Sequence, residues 1–142
     1  MDTVSEMEKT QNGLRTHALL MIGLLVIQYA LGMVTNLFVQ FPQTSQEVQL
    51  WEFARTQLPA MAHIALGMLL FLSAIIFVVR AARKHSRRWI LSSTVGLIAI
   101  LTAIISGSAF ISSQVDAYSL VMAQAFAVAF LAYGWNLVGG GG

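Results

Sequence analysis

The sequence contains no cysteine. That absence removes a thiol–disulfide relay, a thiolate metal site and a cysteine-held cluster, because each needs a thiolate as nucleophile or ligand. A quinone-linked disulfide enzyme of four helices is excluded with them. Charge is nearly as scarce, at 10% of residues against 57% hydrophobic, a balance outside the soluble globular range. Residues 16–39, 59–79, 89–111 and 117–138 hold no Asp, Glu, Lys or Arg at all. Each stretch reaches the roughly 20 residues that a helix needs to cross the hydrocarbon core. With no carboxylate inside a span, nothing there carries the coupling charge of ion- or proton-driven transport. None of the spans alternates as a barrel strand would, so helices are the spanning structure.

These observations predict an all-α integral membrane protein, a four-transmembrane-helix bundle forming one domain over residues 1–138. Residues 139–142 are glycines and read as an appended linker. The first span is too long for a signal-peptide core and lacks a small-residue cleavage site after it, so it is expected to be retained. The net charge of +2 does not point to nucleic acid, because Arg80, Arg83, Lys84, Arg87 and Arg88 all fall in one short loop. By the positive-inside rule that loop is cytoplasmic. Both termini are then cytoplasmic, in a plasma (inner) membrane, in keeping with Lys9 and Arg15 before the first span. The other loops agree, carrying Glu47, Glu52, Arg55 and Asp116. Contact with anionic lipids is a second role for the basic loop, and His85 within it reads as solvated.

Along the chain, Ser5 and Glu8 have capping-box spacing, which suits a short interfacial helix before the first span. His17 sits where that span leaves the headgroups and reads as a wetted interface histidine. Gln28, Gly32, Thr35 and Asn36 recur at helical spacing and share a face. Residues 44–58 predict a short amphipathic helix on the outer surface. Thr44 and Glu47 would cap it, and Val48, Trp51, Ala54 or Arg55, and Leu58 form its apolar stripe. Trp51 and Phe53 would anchor it at the headgroups or close it over the bundle. Pro59 suits the first turn of the next helix. Trp89 is expected at the cytoplasmic interface, and Tyr133 with Trp135 in the aromatic belt there. Thr102 and Ser106 are spaced to bond backbone within their own helix.

The second span carries His63, one turn from Gly67. An ionisable group in hydrocarbon surroundings is costly unless bonded or ligated, so it defaults to a functional hypothesis. Asn36, His63, Ser106 and Gln124 fall within about two turns of the outer boundary, at roughly 5.4 Å per turn. The inner half is plainer, apart from Ser92, Ser93 and Thr94. A pocket is therefore expected in the outer half, beneath the surface helix. A neutral imidazole is a good axial ligand for haem iron, and helix bundles hold porphyrins between facing side chains. His63 would be the metal ligand of a haem b used in electron transfer or haem handling. Met122 or Gln124 would lie opposite, or the site would be five-coordinate, and Gly32 and Gly67 would give clearance. The alternative is non-enzymatic: a structural or accessory subunit of a larger membrane complex, or a homodimer. There His63 is hydrogen-bonded to Asn36, Ser106 or Gln124 as a clasp that fixes helix register. A small-molecule or lipid-binding module using the same pocket is a third reading.

The order of elements, a first span, an outer amphipathic helix, a histidine-bearing span, a basic loop and two further spans, resembles one four-helix half of the heme A synthase family. The local runs are Ile27-Gln28-Tyr29-Ala30-Leu31-Gly32, His63-Ile64-Ala65-Leu66-Gly67 and Ala123-Gln124-Ala125-Phe126-Ala127. The resemblance implies that His63 matches one of the family's paired haem-ligating histidines, while Gln124 stands where the other would be. With that histidine replaced and no second half, the resemblance implies at most a single unusual haem b site, or a scaffold that has lost it.

Overall fold

Every long apolar run becomes a helix, as the unmet backbone groups of any other form would require in lipid. The structure, a computed structural model, describes residues 2–42 and 46–138, with side chains from residue 12 onward. Its helices are α1 (Asp2–Phe38), α2 (Glu47–Thr56), α3 (Leu58–Arg83), α4 (Arg87–Ser113) and α5 (Asp116–Val138). Four of them are long and apolar enough to cross a membrane: Asn12–Phe38 of α1, and all of α3, α4 and α5. The protein is an all-α four-helix membrane bundle with a short extra helix at one end.

The core follows from spacing. To the main core α1 contributes the buried apolar residues Leu14, Ala18, Met21 and Leu25, and α3 contributes Leu70, Ala74, Phe77 and Ala81. Both sets recur every three or four residues and so line one face of their helices. Ala125, Ala129 and Tyr133 do the same on α5. The opposite faces carry large exposed apolar side chains such as Leu20, Leu69, Ile105 and Leu131, as expected where lipid is the solvent. Around the ring α1 packs on α3, α3 on α4, α4 on α5 and α5 on α1.

The connections are tight. Pro59 lies in the first turn of α3, where its missing N–H costs nothing. Gln114 caps α4 in the left-handed conformation, at φ 55°. Its backbone N–H bonds Phe110 O at 2.7 Å, and its side chain donates to Phe110 O and Ile111 O. Those donors satisfy carbonyls that a helix end otherwise leaves unpaired.

Several details depart from the sequence reading. The separate interfacial helix is absent, since α1 runs unbroken from Asp2 to Phe38. The Ser5 and Glu8 side chains, Thr44 of the expected cap, and residues 139–142 lie outside the described residues. The N-cap of α2 is Gln46, which makes no side-chain cap bond. The buried stripe of α2 is Leu50 and Ala54, while Val48 and Leu58 are exposed. That stripe follows from where α2 lies, against both α3 and α4.

Candidate functional site

His63 faces α1, and its partner is Gln28. The His63 Nδ1 atom is 3.2 Å from the backbone oxygen of Gln28. A carbonyl only accepts, so Nδ1 carries the hydrogen and Nε2 offers its lone pair. The Gln28 amide meets that demand, with Nε2 at 3.3 Å from His63 Nε2 and 3.0 Å from His63 O. One amide thus supplies both the imidazole and the backbone of the facing helix. Gln28 Oε1 is left buried without a partner.

Two glycines make the clasp possible. A Cβ on Gly32 would lie 3.0 Å from His63 Cε1, and one on Gly67 would lie 3.2 Å from Gln28 Nε2. Small residues let membrane helices approach closely enough for such bonds. His63, Gly32 and Gly67 therefore come together, joined by Gln28. The other residues singled out in the sequence lie elsewhere. Asn36 and Gln124 are exposed. Ser106 is buried on α4. Met122 approaches Gly107, its sulfur 3.1 Å from where a Cβ there would be. Thr102 bonds Ile98 O within its own helix at 2.9 Å, as its spacing predicts.

In this arrangement the residues do not fit a haem face. The tautomer is suitable, because a metal-binding histidine commonly gives its other N–H to a backbone carbonyl. The space is not, because the clearance expected beside Gly32 and Gly67 is taken by the His63 ring and the Gln28 amide. Among the described residues no group of three or more His, Asp or Glu side chains stands ready to hold a metal ion.

At the α2 end, Ser112 links the surface helix to α4. Its hydroxyl donates to Glu47 Oε1 at 2.7 Å and accepts from Trp51 Nε1 at 3.3 Å. Leu50 and Ala54 pack with Ile111, and Ile64, next to His63, joins that cluster.

The other half of the bundle holds a second polar and aromatic cluster. His17 is only 7% exposed. Its Nδ1 lies 3.1 Å from Arg80 Nη1, and its Nε2 lies 3.0 Å from Ser73 Oγ. Arginine only donates, so Nδ1 accepts and Nε2–H donates to the serine. The ring stacks on Phe77 at 4.6 Å, and Phe77 stacks on Tyr133 at 5.6 Å. Trp89 closes the group at 5.9 Å from Phe77. Each of the four spanning helices contributes one ring. Nearby, the Asn136 amide donates to Ser92 Oγ.

This cluster corrects three expectations. His17 is a core residue rather than a wetted one, because α1 continues past it and Ser73 and Arg80 meet its nitrogens. Tyr133 is fully buried and Trp89 nearly so, and of the expected interfacial aromatics Trp135 alone is exposed. The sequence signal was the depth match of His17, Phe77, Trp89 and Tyr133, with Gly96 opposite the tyrosine. Comparison of the chain with protein-family models, curated proteins and solved structures finds no match.

Proposed function

We propose that this chain is a non-enzymatic structural or accessory subunit that packs through α5 against another membrane-spanning chain. The observation that carries the reading is Gln124, an amide exposed part-way along a spanning helix between the exposed Ala123 and Ala127. An amide facing lipid has no partner, and small residues beside it are how membrane helices approach one another. His63 supports the same reading, since both its nitrogens are used within the chain. The basic α3–α4 connection supports a topology with that end, and both termini, on the cytoplasmic side of a plasma membrane.

Native mass spectrometry in mild detergent tests this. The protein should run as part of a larger assembly, a homodimer or a complex with another chain. Gln124→Leu should release the lone chain, while Leu101→Phe, on the exposed face of α4, should not. A lone chain throughout overturns the proposal. The haem b reading keeps one point in its favour, the Nδ1–H bond that leaves His63 Nε2 as donor, but needs the Gln28 amide to swing away from Gly67. A Soret band in the purified protein that His63→Ala abolishes would establish it in place of the accessory role.

A further inference from the structure

Between α4 and α5, at the α3–α4 connection, lies an open groove of about 750 Å³. Its walls are apolar, built by Leu91 and Val95 on one side and Val128 and Leu131 on the other. Arg87, Arg88 and Trp135 line its mouth. Arg88 is anchored there by a bond from Nη2 to Trp135 O at 3.0 Å. From Arg87 to Val95 the groove runs about 12 Å at roughly 1.5 Å per residue. That is most of one leaflet, about half of the ~30 Å hydrocarbon core.

We propose that this groove is a binding site for one anionic glycerophospholipid, with an acyl chain between α4 and α5 and its phosphate on Arg87 and Arg88. Three features select that occupant over a neutral lipid or a helix. The cationic groups are at headgroup depth and the walls below them carry no charge. The groove ends near the midplane, where an acyl chain of one leaflet ends. Charge complementarity adds to this, because Arg80, Arg83, Lys84, Arg87 and Arg88 gather at this end of the bundle. Trp135 is 68% exposed, and its ring suits the interfacial layer between phosphate and chain. The site lies on the same face of α5 as Gln124, about one to three turns nearer the α3–α4 connection, and its test does not depend on the accessory role.

The test is native mass spectrometry of the full chain titrated with phosphatidylglycerol and with phosphatidylcholine of the same acyl chains. Phosphatidylglycerol should bind first and at one site. Replacing Arg87 and Arg88 together by glutamine should lower its occupancy roughly tenfold or more, while the paired Arg83→Gln and Lys84→Gln variant, of equal charge, should keep it. Ala132→Phe, which fills the groove from α5, should remove it with the arginines intact. Millimolar inorganic phosphate should not compete. Equal binding of both lipids, an equal loss in the Arg83/Lys84 variant, or displacement by phosphate would each overturn the proposal. A thermal melt of every variant separates loss of the site from loss of the fold.

Discussion

At the scale of single residues, the consequential choices are where amides and glycines sit. Gln28→Leu removes the donor to both His63 Nε2 and His63 O, and should cost about 1–3 kcal/mol because the imidazole lone pair is then buried unmet. The double variant with His63→Leu should recover part of that loss, since removing both partners leaves nothing unsatisfied. Thermal unfolding in micelles reads the cycle, and strictly additive losses would rule out the clasp. Glycines separate by environment. A Cβ at Gly96 would lie 2.5 Å from Tyr133 Cζ, whereas at Gly23 it meets nothing within 4 Å. Gly96→Ala should destabilise by about 1–3 kcal/mol, because a buried ring must shift to admit the methyl group. Gly23→Ala should be neutral or stabilising by up to about 1 kcal/mol, the helix-propensity gain. His63 and its glycine were legible in the sequence, but its partner was not. Asn36, Ser106 and Gln124 matched it in depth, yet depth does not say which way a helix is turned. Gln28 lay nearer mid-span and reaches His63 because α1 and α3 run antiparallel in contact.

At the scale of elements, lipid constrains the backbone so strongly that the four spans were readable from charge-free length alone. The surface helix was readable too, although its buried face was not. Periodicity allowed Val48 as well as Leu50, and the choice fell to Ile111 on α4, which sequence cannot place beneath it. Ser112→Ala should loosen α2 without disturbing α4, because the serine hydroxyl is shared between Glu47 and Trp51. Hydrogen exchange should then quicken across Glu47–Thr56 by the equivalent of about 0.5–1.5 kcal/mol, the net value of an ordinary hydrogen bond. Unchanged protection there would mean that Leu50 and Ala54 alone hold the helix down.

At the scale of the whole molecule, the core is a stack of rings that no single helix announces. His17 and Tyr133 each looked interfacial from their distance to a span end, and only the ring order of the helices turns them inward toward Phe77. Phe77 touches His17, Trp89 and Tyr133, so Phe77→Ala should cost about 3–5 kcal/mol. The loss should appear in one cooperative transition, seen alike by tryptophan fluorescence and far-ultraviolet circular dichroism. A local change in fluorescence alone would show that the helices are held independently of the stack. The α1–α3 seam is pinned at two heights, by His17 with Ser73 and Arg80 and by Gln28 with His63. Pins about 16 Å apart, from eleven residues at roughly 1.5 Å each, prevent one helix from sliding past the other. In a bilayer thinner or thicker than its hydrophobic belt, this pair must therefore tilt as a single plank, and the lipid around it must take up the remaining mismatch.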